Sequence, residues 1–311
     1  MHSDHAPHLP SFVKQLGVVL LLSVLTLAGC GGGGSGNTSL PGKGISLTIG
    51  SKNDPDGQLL AQMYSDLLAN QGFTVTTKLH LGQTPVLDAA IKSGAVDMYP
   101  EFTGTALVTA KLTITNDPQQ AYNAVKTAYE QQFQITWLDA AFNLNDSYGI
   151  CTSQANAQKY NLHSLSDLTS VAGQLTIAEQ QDAPQILAPV LTAYGITFKG
   201  TTQIAEPLSF GAVTSDAAQV NECYTTDPAI VTQNFVLLTD PKNAFPAYNP
   251  APIVRDATLK KSSAIATTLN ALESHLTTAK IVALIKQVSI DHKSVPEVAQ
   301  TFLQQEGLLP K

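Results

Sequence analysis

The chain has 311 residues, 43% of them hydrophobic and 13% charged, so it can bury a sizeable core and is not a disordered segment. Its formal net charge is −7, and no cluster of Lys and Arg interrupts the acidic balance. Neutralising a phosphate backbone needs such clusters, which excludes nucleic acid as a partner.

In chain order, the first segment reads as a leader. Residues 17–29 (GVVLLLSVLTLAG) form a short apolar run behind Lys14, the length of a secretory core region and too short to span a bilayer comfortably. The run ends Leu27-Ala28-Gly29-Cys30, which resembles the lipobox of bacterial lipoproteins. That resemblance implies cleavage before Cys30, lipid on its thiol, and an extracytoplasmic protein held to the cell membrane. An ordinary signal peptide with an incidental cysteine is the plainer alternative. Residues 31–36 are glycine-rich and read as a flexible tether. His2, His5 and His8 fall in the leader, so no metal is expected of them, and no cofactor is expected elsewhere. The expected division is a signal peptide over 1–29, the lipidated Cys30 and tether over 30–43, and a folded body beyond.

The body alternates strand and helix patterns. Ile45 to Gly50 predicts a buried strand. Asp56 to Asn70 predicts a helix, with Leu59, Leu60, Met63, Leu67 and Leu68 at helical spacing and Gly72 beyond its end. Phe73 to Leu81 predicts a strand, and the stretch from Thr84 a helix with Pro85 in its first turn. A strand over Val96 to Tyr99, a helix over Ala121 to Gln132 and a strand over Ile135 to Leu138 follow. The middle repeats the theme, with strands at Gln174 to Ala178, Thr202 to Ala205 and Glu222 to Thr225, and a helix over Ile186 to Tyr194. The tail predicts helices over Ala264 to Leu276, Ala279 to Val288 and Val295 to Glu306. Alternation of this kind predicts parallel sheets covered by helices on both faces.

Catalytic signatures are missing from the pattern. No H-E-x-x-H, G-x-S-x-G or phosphate-binding loop occurs, and His80, His163, His275 and His292 are scattered, so an enzyme is not expected. Asp97 and Glu101 are four residues apart across Pro100, and they suit orienting the Tyr99 to Phe102 segment better than acid–base work. Two cysteines remain in the body, Cys151 and Cys223; outside the cytoplasm they can pair, or stay as two buried thiols.

A series of short motifs then carries a family resemblance. Gly50-Ser-Lys-Asn53, Leu81-Gly-Gln-Thr-Pro85, Lys92-Ser-Gly-Ala-Val-Asp97 and Met98-Tyr-Pro-Glu-Phe-Thr-Gly-Thr105 come first. Trp137-Leu138, Asn145-Asp-Ser-Tyr148, Tyr224-Thr-Thr-Asp227 and Phe245-Pro-Ala-Tyr-Asn-Pro-Ala-Pro252 follow in order. Together they resemble the substrate-binding proteins of osmoprotectant ABC importers, the glycine betaine/choline type. The resemblance implies an α/β, two-lobed type II periplasmic-binding-protein fold: two doubly wound sheets joined by a two-strand hinge. It implies lobe I over 44–147 plus 254–311 and lobe II over 148–253, with crossovers near Tyr148 to Thr152 and Ala251 to Arg255. It also implies that Cys151 and Cys223 lie on neighbouring strands, which favours the disulfide.

The implied function is capture of a small quaternary-ammonium compound and its delivery to a membrane permease with its ATPase; the alternative is a sensor that signals to a membrane receptor. A quaternary ammonium has no N–H to donate, so aromatic faces must hold it. The resemblance places Phe102, Tyr148, Tyr224 and Tyr248 in that role, with Phe102 standing where the family usually has tyrosine. Tyr64, Tyr122, Tyr129, Tyr160 and Tyr194 lie on helical patterns and read as packing. Lys52 and Thr105 match the family's carboxylate-binding lysine and threonine, while a solvated Lys52 is the plainer alternative. The expected arginine is missing from Glu179 to Pro184, because Arg255 is the sole arginine of the chain. Gln180, Gln181 and Asp182 suit a hydroxyl instead, which brings choline level with betaine.

Overall fold

The computed structural model describes residues 39–180, 183–205 and 208–311. The leader and Cys30 fall outside the described residues, as do Gln181 and Asp182. No helix among the described residues is long and apolar enough to cross a membrane.

The first sheet begins with β1 (Ser46–Gly50), β2 (Thr74–Lys78), β3 (Met98–Phe102) and β4 (Ile135–Trp137). A second sheet takes up β5 (Tyr148–Ser153), β6 (Thr176–Glu179), β7 (Gly200–Gln203), β8 (Val220–Tyr224) and β9 (Phe235–Leu237). The chain then returns, and β10 (Pro250–Arg255) inserts between β3 and β4. The orders are β2-β1-β3-β10-β4 and β7-β6-β8-β5-β9, the same pattern twice.

The expectation of parallel sheets needs a correction. β1 runs parallel to β2 and β3, and β6 parallel to β7 and β8, but β10 is antiparallel to both neighbours and so is β5. Those two strands arrive from the other sheet rather than through a helical crossover, so the rule that makes βαβ neighbours parallel does not bind them. The residues expected as the two crossovers, Tyr148 to Thr152 and Ala251 to Arg255, lie inside β5 and β10 and pair with β8 and β9 and with β3 and β4. The chain passes between the sheets over residues 138–147 and 238–249 instead.

Local sequence explains the elements that frame the site. The helix α1 (Pro55–Asn70) starts where Asp54 accepts the Gly57 N–H at 2.9 Å, with Pro55 in the first turn. Its apolar positions are buried against the helices 264–273, 278–289 and 295–305. The strand expected over Val96 to Tyr99 instead runs from Met98 through Pro100 to Phe102 as β3. Pro100 faces Pro252 across the β3–β10 pair, so neither proline is asked for the N–H it lacks. The helices α2 (Thr84–Ser93) and α3 (Thr103–Thr109) follow β2 and β3; α3 has a threonine-rich sequence of weak helical propensity. It is held by tertiary bonds: Thr103 Oγ1 donates to Ala247 O at 3.1 Å and accepts from Asn249 N at 3.0 Å.

In the second sheet Gly149 faces Cys223 and Cys151 faces Asn221, which sets the two cysteines diagonally across neighbouring strands. They form a disulfide with Cα atoms 5.9 Å apart, both buried. The bond closes a loop of 72 residues, so it removes substantial freedom from the unfolded chain. The double substitution Cys151→Ala/Cys223→Ala lowers the unfolding free energy by about 2 to 4 kcal/mol; chemical denaturation against the oxidised wild type measures it.

Candidate functional site

The aromatic residues expected at the site sit at strand ends, where open α/β sheets present side chains to ligands. Phe102 ends β3, Tyr148 begins β5, Tyr224 ends β8 and Tyr248 lies two residues before β10. Tyr148 and Tyr224 are opposite each other in the β5–β8 register. Their ring centroids are 4.8 Å apart at 49°, and the Tyr224 hydroxyl donates to the Tyr148 hydroxyl at 3.2 Å. Tyr148 meets Tyr248 at 5.4 Å and 67°. These rings are angled against one another rather than stacked flat.

Tyr248 depends on a glycine. A Cβ on Gly104 would lie 2.1 Å from Tyr248 Cε2, so only glycine lets this ring rest against α3. The Thr105 hydroxyl hydrogen-bonds the Tyr248 phenol, and burial followed by the neighbouring Tyr148 holds that phenol well above its ordinary pKa and therefore neutral. Phe102 is buried in the same apolar cluster as Tyr148 and Tyr248. The structure thus brings Tyr148, Tyr224, Tyr248 and Thr105 together and sets Phe102 opposite Pro250, two residues past Tyr248, while Tyr64, Tyr122, Tyr129 and Tyr194 are buried packing residues.

Lys52 is 5% exposed, which overturns the reading of it as a solvated residue. Its Nζ lies 2.5 Å from Glu101 Oε1 and 5.5 Å from the centroid of Phe102. Glu101 is fully buried; Oε1 also accepts the Phe102 N–H at 2.8 Å, and Oε2 accepts the Tyr99 hydroxyl at 3.0 Å. Burial pulls the Lys52 ammonium down, but Glu101, Asp54 and Asp56 outweigh it and leave the group above its ordinary pKa. Glu101 does orient Tyr99 and Phe102. Asp97 acts elsewhere, accepting Thr48 N at 2.8 Å and Thr258 Oγ1 at 2.7 Å.

Three carboxyls at the site were not singled out from the sequence. Asp54 caps α1, Asp56 lies in its first turn and hydrogen-bonds both Asp54 and Asp146, and Asp146 accepts from Thr226 Oγ1 just past β8. Burial, then the neighbouring Asp56, raises Asp54 to about 8. Burial and then Asp146 hold Asp56 well above the carboxylate range, and burial raises Asp146 to about 6. Asp54-Pro55-Asp56 has the pattern of a helix start, which hid its second role; nothing local announces that Asp146 meets it.

The remaining expected partners divide. Gln180 donates to Glu222 through both its backbone N and Nε2, each at 3.3 Å. Arg255 sits at the far end of β10 from Pro250, which faces Phe102; five residues of strand place it roughly 16 Å along the sheet. There its guanidinium covers Gly94, where an added Cβ would meet Nη1 at 2.5 Å.

Comparison with known proteins follows this geometry. A family model described as the substrate binding domain of ABC-type glycine betaine transport systems matches residues 45–305. The carnitine transport binding protein OpuCC of Listeria monocytogenes is 31% identical over 310 residues, 95% of this chain and 97% of that protein. The glycine betaine-binding protein YehZ of Escherichia coli is 30% identical, covering 86% of this chain and 93% of that one. A crystal structure described as a glycine betaine/carnitine/choline ABC transporter superposes with a TM-score of 0.72 at 21% identity, covering 84% of this chain and 99% of that chain. Apo YehZ superposes with a TM-score of 0.67 at 26% identity, covering 85% and 99%. The fold is the two-sheet α/β periplasmic-binding-protein fold.

Asp54 and Asp146 give the site a pH signature. A carboxyl whose folded pKa is raised favours the folded state most below its unfolded value near 3.8, and that contribution is lost as pH rises through the folded values of about 6 and about 8. Stability of the unliganded protein therefore falls across that window. Asp146→Asn flattens the lower part of the slope in denaturation curves collected across the same pH range.

Proposed function

The chain belongs to the family of substrate-binding domains of ABC-type glycine betaine transport systems, and from that membership we propose that it captures a small quaternary-ammonium compound between its two sheets. It is a binding protein that serves an ABC permease, and not an enzyme. The ligands named for its relatives, carnitine, glycine betaine and choline, share a trimethylammonium group, and that group is what the site takes.

The observation that carries this reading is the cluster of Tyr148, Tyr224 and Tyr248, with Phe102 buried in the same core. Each ring face contributes roughly 0.5 to 2 kcal/mol to a desolvated cation, so four supply about 2 to 8 kcal/mol. A micromolar ligand needs about 8 kcal/mol, which makes the cage the main source of affinity. Lys52 and Thr105 line the end that meets the ligand's tail.

Two lobes centred on the two sheets close on the ligand by bending at residues 138–147 and 238–249. The closed form docks on the permease, whose ATPase drives release. Lipid on Cys30 holds the protein at the outer face of the cell membrane, with the glycine-rich tether giving it reach. Tyr148→Ala and Tyr224→Ala are each expected to weaken choline and glycine betaine binding by about tenfold or more, and the double variant by less than the product. Calorimetric titration measures this, and unchanged affinity in both single variants contradicts the cage.

A further inference from the structure

Two of the cage rings stand at the ends of strands that run past their neighbours. The ladder of β5 with β9 covers Cys151 to Ser153, and the ladder of β8 with β6 covers Val220 and Asn221. Beyond those residues β5 and β8 continue in register with each other, through Ile150 opposite Glu222 and Gly149 opposite Cys223, to Tyr148 opposite Tyr224. A two-stranded ribbon is marginal by itself and twists more than the sheet it leaves. The spacing and angle of the two rings therefore depend on what fixes that ribbon.

Side chains alternate along a strand, so Tyr148 and Tyr224 share one face of the ribbon while Gly149, Cys151 and Cys223 share the other. The disulfide lies on that rear face. It ties Cys151, where the pairing with β9 stops, to the residue beside Tyr224. Ala178, Phe210, Val213 and Phe235 are buried in the same core as both cysteines. A Cβ on Gly149 would lie 2.5 Å from Leu237 Cδ1 and 3.5 Å from Cys223 Sγ, so the leucine and the sulfur back the residue that follows Tyr148. At the tip of the ribbon Thr225 N donates to Ser147 O at 2.8 Å. The ring pair is thus held between a covalent tie at its base and a hydrogen bond at its tip.

Resting on the quaternary-ammonium reading above, we propose that Cys151 and Cys223 are positioning residues for ligand binding: from the rear face, their disulfide holds Tyr148 and Tyr224 at the spacing that takes the trimethylammonium group. Both cysteines are buried, so the tie is a fixed part of the site. Neither sulfur touches the ligand. The effect passes through the rings and falls equally on ligands that share the head group.

The test is calorimetric titration of the full chain with choline and with glycine betaine, in wild type, Cys151→Ala/Cys223→Ala, Tyr224→Ala and the triple combination. Disulfide removal is expected to weaken both ligands by the same factor, at least about threefold, and by less than about 1.5-fold once Tyr224 is already alanine. Leu303→Ala opens a cavity in the buried face of the helix 295–305 and lowers stability comparably. It leaves both affinities within about 1.5-fold of wild type, which separates positioning from general weakening. Cys151→Ala/Cys223→Val removes the bond but refills the core, and it makes the same comparison if the first variant fails to fold. Unchanged affinity in the folded disulfide-free protein overturns the inference, as does a loss that is the same with and without the Tyr224 ring. Binding of neither ligand to wild type overturns the quaternary-ammonium reading itself. The positioning role is then decided by the ring resonances of Tyr148 and Tyr224 in tyrosine-labelled protein, which are expected to shift on disulfide removal and whose constancy overturns it.

Discussion

The chain crosses between its sheets twice, and the two crossing segments must be bonded to each other for either sheet to be positioned. Asp146 N donates to Tyr248 O at 2.9 Å, Tyr248 N to Asn145 Oδ1 at 2.8 Å, and Ser147 Oγ to Pro246 O at 2.8 Å. Asn249 Nδ2 adds a bond to Leu144 O at 2.9 Å. This seam is anchored on the first sheet's side by Thr278, which bonds Asn143 and Asn145, and on the second sheet's side by Thr225, which bonds Ser147 and Asn145. Because the seam fixes residues 145–148 against 246–249, Tyr148 and Tyr248 have to meet. Antiparallel pairing of β5 with β8 then brings Tyr224 alongside. The aromatic cluster is therefore a consequence of topology: any chain that leaves and re-enters by neighbouring segments gathers at that place the residues flanking its crossovers.

The polar half of the site obeys a different constraint. A buried ammonium without a partner is costly, and Glu101 removes that cost for Lys52 while the Phe102 N–H and Tyr99 hydroxyl satisfy the glutamate in turn. Breaking such a pair leaves an uncompensated buried charge, so the ammonium is more a fixed wall of the site than a free hand for anions. Asp56 meets its neighbours by sharing hydrogen bonds, which requires protons on some of the carboxyls.

Much of the fold was legible because apolar spacing is a local signal. Leu59, Leu60, Met63, Leu67 and Leu68 mark α1 without any knowledge of what covers them. The four aromatic positions were marked by the family resemblance, and Tyr64, Tyr122, Tyr129, Tyr160 and Tyr194 stood apart because they lie on helical patterns. The same reading failed where tertiary context overrides local preference. Pro100 signals an end to β3, and only its register opposite Pro252 allows the strand to continue. The direction of β5 and β10 is set by which sheet the chain comes from, information that no window of residues holds. Lys52 and Glu101 are 49 positions apart, and Asp146 meets Asp56 from still farther along the chain. A lysine beside a strand looks solvated until its partner is known.

The most direct measurement is a crystal structure of the protein grown with choline. The account predicts the trimethylammonium nitrogen within about 6 Å of the ring centroids of Phe102, Tyr148, Tyr224 and Tyr248, with the hydroxyl directed toward Lys52, Glu101 and Thr105. A choline bound elsewhere, or one at this place with its methyl groups facing none of the four rings, would contradict it.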